Sequence, residues 1–384
     1  VAIDLNQKSA GSINPDQYSR RAIDLDQDSS APIPTSVARA QPAVVVGVVT
    51  HNSSAVIART LEAILAQDYP SMTVMVCDNA STDGTVALVR EHYPWVRLVV
   101  MPENRGPNPA RNRILDAAGD GLALILDDDC MPTPGMLGRL VEAAMAHPEG
   151  AGFGARVVYD REPDRIQFDG SDVHFVGEAV HRNCERLVGE VDAATRPVGA
   201  LGGGCQLIRA AAWRQVGGFD ESLFFGREDG ELSQRLAIAG YQSFIVPSAV
   251  VRHAVEPRGL KAGFHQIRNR WLVILGVYRL RTLLLIAPAL LVHELVIAFF
   301  MLMQGSLGVY LRGNLAVLRS LPDILAKRRR VAAVRRAPDR AFLTAGPIAV
   351  RQDLLARSSG LAQQLKATLD AFYTGYWRLV RRFV

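Results

Sequence analysis

Between Ala43 and Asp129, four short apolar runs rich in β-branched residues alternate with stretches of helical period, and each run ends in polar residues. "AVVVGVVTHN" predicts a buried strand and a turn, followed by a helix over residues 55–67. "TVMVCDN", "WVRLVVMPEN" and "GLALILDDD" predict three more strands. Between them stand "STDGTVALVREH", opening on the helix-start residues Ser81, Thr82 and Asp83, and "NPARNRILDAAG". Such alternation implies a parallel sheet with helices on both faces, an α/β fold.

In sheets of this kind ligands sit outside the carboxyl ends of the strands. Here those ends carry Thr50, His51 and Asn52, then Asp78 and Asn79, then Glu103 to Gly106, and last Asp127, Asp128 and Asp129. Four strands thus deliver polar groups to one edge, where Asp78 and the aspartate triplet are available to a nucleotide. Three adjoining carboxylates behind an apolar run raise one another's pKa unless something positive sits among them. An Asp-x-Asp at a strand end suits a hard cation, Mg2+ or Mn2+, shared with substrate phosphates; a solvated acidic turn is the competing reading.

Beyond Gly150 the pattern loosens into strand-like pieces and turns. Gly202, Gly203 and Gly204 permit close backbone approach to a ligand, or merely a bulge. Taken alone, "REDGELSQRL" is a charged helix start, and a lone His253 behind a β-branched run is more often a satisfied core residue than a ligand. Cys77, Cys130, Cys184 and Cys205 show no CxxC pairing or metal-ligand spacing, which predicts free thiols in a reducing compartment such as the cytosol.

Six motifs in order resemble the family-2 glycosyltransferases, and in particular their bacterial rhamnosyltransferase-like branch: "VVTHN", "CDNASTDGT", "ENRGPNPARN", "LDDDC", "GGFDESLFFGREDGELSQRLAIAGY" and "VVRHA". The resemblance covers about residues 44–255 and continues more weakly to about 330. It implies the GT-A nucleotide-diphospho-sugar-binding fold, Rossmann-like with a mostly parallel central sheet. It also implies an inverting, metal-dependent transfer from a nucleotide diphosphate donor, a dTDP- or UDP-sugar, to a lipid-linked or cell-envelope glycan.

By the same resemblance Asp78 contacts the nucleotide base, with Thr50 and Asn52 lining its pocket. Asp127 lies near the ribose and sugar and beside the metal, Asp129 binds the Mn2+ or Mg2+ that bridges the diphosphate, and His253 completes the metal site. Asp128, the variable middle residue, and Asn104 are placed with the donor. Arg105 and Arg111 fall beside it, facing phosphates or forming surface salt bridges. Glu228 and Asp229 match the family's Glu-Asp pair, whose aspartate is the general base that an acceptor hydroxyl needs before it can attack. Gly203 and Gly204 are assigned to the acceptor. A non-catalytic membrane scaffold that kept this fold is the alternative; it would lack an acid from the Asp-x-Asp or the Glu-Asp pair, and both are intact. A sugar nucleotidyltransferase would need a glycine-rich basic loop after the first strand, and "THNSSAVIART" is not one.

Charge divides the chain: residues 258–384 hold 21 Lys and Arg against five Asp and Glu, a net +16, which leaves −11 on residues 1–257. A basic half on an acidic half predicts a basic docking surface. Within it Leu283 to Met303 form an apolar stretch of 21 residues, long enough to span a bilayer, but Pro288, His293 and Glu294 interrupt it. Arginines flank both ends, so a re-entrant or interfacial helical hairpin on the cytosolic membrane face, with basic helices on anionic headgroups, fits better than a single crossing. Nucleic acid is the poorer partner, because aliphatic runs rather than aromatic platforms separate the basic residues. The sequence divides into a disordered tail over residues 1–42 with a repeat ("AIDLNQ", "AIDLDQ"), a GT-A domain over 43–257, a membrane-associated region over 258–330 and a helical extension over 331–384 whose amphipathic end could also serve an oligomer interface.

Overall fold

The computed structural model describes residues 41–202, 204–254, 263–348 and 360–384. The expected tail and its repeat lie outside the described residues up to residue 40, as does Gly203.

The first half folds as β1 (Val44–Thr50), α1 (Ile57–Leu65), β2 (Met72–Asp78), α2 (Thr85–His92), β3 (Arg97–Val100), α3 (Pro107–Ala117), β4 (Leu122–Asp127), β5 (Cys130–Pro132) and α4 (Met136–Ala146). Strands β6 (Gly150–Tyr159), β7 (Ile166–Phe168), β8 (Ser171–His174), β9 (Ala179–His181), β10 (Arg196–Val198) and β11 (Cys205–Arg209) follow. Helices α5 (Ala210–Val216) and α6 (Glu228–Ile238) then precede β12 (Gln242–His253). Helix α2 starts at Thr85 rather than at Ser81. The Asp83 carboxylate accepts from the Thr85 and Ser54 backbones, and the Ser81 amide donates to Asp78, so the polar stretch closes a turn before the helix.

The main sheet runs β10-β12-β6-β11-β4-β1-β2-β3. Strands β3, β2, β1 and β4 are mutually parallel, β11 lies antiparallel between β4 and β6, and β6 and β12 are parallel again. Both faces are covered, so the central strands are apolar on both sides of the pleat. Val46, Val48, Val74, Val76 and Leu124 pack against Ile57, Leu61 and Ile64 of α1 and Leu137, Leu140 and Val141 of α4. Met75, Cys77, Ala123 and Ile125 face α3, α5 and α6 through Ile114, Trp213 and Leu232. Gly47 sets the spacing of α3 on the sheet, since a Cβ there would stand 2.2 Å from Ile114 Cγ2.

The C-terminal region is helical: α7 (Gly263–Val277), α8 (Leu280–Met303), α9 (Leu307–Arg319) and α10 (Leu321–Val334), then the short β13 (Leu343–Thr344), which pairs with β8, and α11 (Gly360–Val380). The apolar stretch is one unbroken helix, α8, with Pro288 inside it; the chain turns at Gly305, in the left-handed region, into α9. Residues Gln41 to Val384 form one compact unit. A third core joins Val173, Phe175, Val176, Leu223 and Ile238 of the first half to Leu272, Ile274, Tyr278, Leu290, Tyr373 and Trp377 of the second.

Candidate active site

Because β1, β2 and β4 are neighbours running in one direction, their carboxyl ends open on one cavity of about 530 Å3, closed on its far side by the start of α6 and the end of β12. Thr50, Asn104, Arg111, Asp127, Asp128, Asp129, Gly204, Glu228, Asp229 and His253 line it.

The positive group that the aspartate triplet demanded is Arg111. Helix α3 carries it beneath the strand ends, 2% exposed, with Nη2 3.1 Å from Asp127 Oδ1 and Nη1 3.3 Å from Glu228 Oε1 and 3.2 Å from Asp229 Oδ1. One guanidinium thus bonds three carboxylates from β4 and α6, a task its forked donors suit. Its hydrogen bonds to the protein are spent on these acids. Arg105 lies at the surface, 3.7 Å from Glu221 and 3.9 Å from Glu103.

Asp229 also accepts from Gln206 Nε2 at 2.9 Å, across from the second residue of β11. Burial pushes its carboxyl up to about 7; Arg111 opposes that shift, and Glu228 and Asp127 add to it. The side chain keeps 15% of its surface open to the cavity. A carboxylate of that kind is a proton acceptor near neutral pH.

The triplet splits three ways. Asp127 turns to Arg111. Asp128 borders the cavity, but its carboxylate turns back onto the loop after β1, accepting from the His51 amide at 3.2 Å and from the Ser53 hydroxyl, and burial raises its pKa. Asp129 turns to the end of β12: β5 pairs antiparallel with that strand and sets Cys130 opposite His253, which brings His253 Nε2 to 3.1 Å from Asp129 Oδ1. His253 Nδ1 lies 2.8 Å from Gln167 Oε1, which fixes the ring with Nε2 facing the carboxylate. Nε2 is buried and makes no hydrogen bond among the described residues, as a metal-ligating nitrogen would be. Asp129, Cys130 and His253 could surround an ion, but burial raises the Cys130 thiol and keeps it protonated, leaving an oxygen and an imidazole for a hard cation.

Asp78 is fully buried at the end of β2; Oδ2 accepts from the Ser81 amide at 2.9 Å, and Oδ1 has no partner among the described residues. Neither Asp78 nor Asn52, both expected in the donor pocket, lines the cavity. Asn52 is exposed with a positive φ of 54°, and it braces the loops after β1 and β2 by accepting from the Thr82 amide at 2.8 Å. Asn104 accepts from Asn79 at 2.9 Å and from the Gly106 amide at 3.0 Å, tying down the turn into α3. Gly204 accepts from the Asp127 amide at 3.3 Å, and a Cβ on it would meet Cys130 Sγ at 3.1 Å.

Two residues carry no sequence signal of their own. Arg227, in the left-handed region at φ 75°, precedes the Glu-Asp pair and is held by Glu178 Oε1 and Oε2 at 3.1 and 2.9 Å, by the Gly177 carbonyl and by the Gln266 carbonyl at 3.2 Å. Glu178 is drawn well below the usual carboxylate range: burial pushes it up, but Arg227, His293 and Arg270 outweigh that. Arg227, Asp229 and Gln266 line both the first cavity and a second one of about 410 Å3, whose walls include Phe168, Asp172, His181 and Leu201.

The family model "Glycosyl transferase family 2" matches residues 45–188, and "Glycosyl transferase family group 2" matches residues 122–325. The chain is 34% identical over 217 residues to the N-acetylglucosaminyl-diphospho-decaprenol L-rhamnosyltransferase of Mycobacterium tuberculosis, covering 49% of this chain and 68% of that protein. It is 36% identical over 139 residues to the succinoglycan biosynthesis protein ExoO of Rhizobium meliloti, covering 36% of this chain and 38% of that one. Among solved structures it is similar to GalNAc-T7 with UDP, GalNAc and Mn2+, with a TM-score of 0.52 and 14% identity, over 63% of this chain and 49% of that chain; this likeness concerns the fold.

Proposed function

Because the chain belongs to glycosyltransferase family 2 and is a glycosyltransferase, we propose that it moves a sugar, with inversion, from a nucleotide diphosphate donor in the first cavity to a hydroxyl of a lipid-linked glycan in the second. The observation that carries this reading is the placing of Asp229, a carboxylate raised toward neutrality and shared by both cavities. A base there takes the proton of an acceptor hydroxyl as that oxygen attacks the anomeric carbon from the side opposite the leaving group. Gln206 and Arg111 hold Asp229 in position, and Glu228 shares the same guanidinium. Asp129 and His253, with the donor diphosphate, would hold the Mn2+ or Mg2+ that neutralises charge on the departing nucleotide. Asp78 ends β2 beside Asn79, which lines the first cavity, and would meet an imide N–H, as of uracil or thymine, once the turn over its buried, unpartnered oxygen opens, in keeping with a UDP- or dTDP-sugar. The name of the mycobacterial relative describes a sugar-diphospho-decaprenol acceptor, which supports a lipid-linked acceptor here; its delivery at the cytosolic membrane face is part of the proposal.

The test is binding and hydrolysis of UDP-, dTDP- and GDP-sugars by the full chain, with Mn2+, Mg2+ or EDTA. One donor is expected to bind in a metal-dependent way, and Asp229→Asn is expected to keep that binding while losing transfer by about 10³-fold. Transfer at the wild-type rate by Asp229→Asn would remove the base assigned here.

A further inference from the structure

Helix α8 is apolar all round and covered by protein on one side only. Its buried side holds Ile286, Ala289 and Leu290 with the polar Thr282 and His293, whereas its exposed side presents Leu284, Leu291, Leu295 and Phe299, with Arg281 near the start. A helix that leaves such an apolar row uncovered faces an apolar medium. Exposed leucines continue on α9 at Leu315 and Leu318, again beside arginines, Arg312 and Arg319.

The few polar groups of its covered side fix how α8 lies. Near its midpoint, His293 Nδ1 is 3.1 Å from Tyr373 Oη and Nε2 is 3.5 Å from Glu178 Oε1. Glu294 accepts from Tyr310 Oη at 2.7 Å and pairs with Arg270. Glu178 is also the residue that holds Arg227, next to the Glu-Asp pair. If α8 crossed a bilayer, its midpoint would carry the catalytic body into the hydrocarbon with it. We infer that α8 lies in the plane of the membrane, its leucine row sunk into one leaflet, and that the exposed arginines of α8 and α9 bind anionic headgroups. This deepens the membrane association proposed above and rests on it only for which compartment supplies the leaflet. Lipid fits this surface better than a second copy. An isologous contact would bring the exposed arginines of one copy against those of the other, and Asp323 is the one exposed acid among the described residues of α8, α9 and α10.

The test uses the full-length protein and vesicles of phosphatidylcholine alone or with phosphatidylglycerol, without donor. Flotation with the anionic vesicles is expected, weakening as salt rises. Leu284→Glu with Leu291→Glu is expected to weaken it about tenfold or more while leaving donor binding at the wild-type value, which shows the variant to be folded. For orientation, bimane is attached at Leu284→Cys, Leu291→Cys or Phe299→Cys in a Cys184→Ser background, the other three cysteines being buried. Quenching by brominated lipids should report the same shallow depth at all three. A deep maximum at position 291 would mean a crossing and overturn the inference. So would a dimer that the double glutamate variant splits with vesicle binding unchanged. Failure of every donor to bind, with flotation and shallow depths intact, would remove the donor reading and leave this one standing.

Discussion

At the scale of single residues, the site turns on one guanidinium against three acids. Arg111 lies buried against Asp127, Glu228 and Asp229 and leaves an excess of negative charge in the cluster, which helps keep Asp229 near neutrality. The pH dependence follows with a definite sign. A base must be deprotonated, so kcat/KM should climb about tenfold per unit below a limb near 7 and level off above it. In Arg111→Met that limb should move upward, because the guanidinium works against burial, and stability should drop by about 3–5 kcal/mol as the acids lose their partner. Stability carries the opposite trend in Asp229 itself. Its folded carboxyl holds a proton up to about 7, whereas an unfolded aspartate releases it near 4, so the stability present at low pH is lost as pH rises between those values. Asp229→Asn should therefore melt a few degrees above wild type at pH 8, with the gain shrinking to nothing near pH 4, as calorimetry would show. An equal or lower melting point at pH 8 would mean that the carboxyl is not raised.

At the scale of elements, the strand-end residues were legible because each apolar run stops where the sheet stops, so Thr50, Asp78 and Asp127 announce an edge without any tertiary information. Which neighbours those residues meet was not legible. Gln206 reaches Asp229 because β11 runs antiparallel into the sheet, a pairing between distant segments that local periodicity does not encode. His253 meets Asp129 because the three-residue β5 doubles back onto β12. Arg227 was hidden for another reason. A non-glycine residue at positive φ costs about 1–3 kcal/mol unless its surroundings hold it, and what holds it is Glu178, 49 residues away. Glu178→Gln keeps the shape and removes the charge that pins Arg227. Steady-state kinetics should show kcat falling about 10- to 100-fold with the donor KM little changed, because the turn into α6 positions Asp229 and leaves the end of β2 untouched. An unchanged kcat would make the Glu178–Arg227 pair a fold contact alone.

For the whole molecule, the contrast between an acidic half and a basic half suggested separate parts joined in sequence, with a catalytic domain ending near residue 257. Charge and hydropathy report surface character, whereas independence is decided by where the core lies. Here Phe175, in the turn between β8 and β9, stacks on Trp377 of α11 at 5.1 Å between ring centroids, and Val173, Val176, Leu223 and Ile238 share that core with α7, α8 and α11. Lys327 of α10 is buried against Asp220 and Glu231, 2.7 Å from each, so even the basic run after α9 is anchored inside the catalytic half. A chain ended at residue 257 would expose that apolar set together and would take Arg270 and His293 from Glu178 and Lys327 from Glu231 and Asp220, a combination of lost burial and lost pairing that marginal stability does not absorb. The truncated protein should bind a hydrophobic dye, lack a cooperative melting transition and fail to bind donor, although every strand-end residue of the site is still present. A sharp transition with donor binding retained would show instead that residues 43–257 fold alone and that the helical half is an attachment.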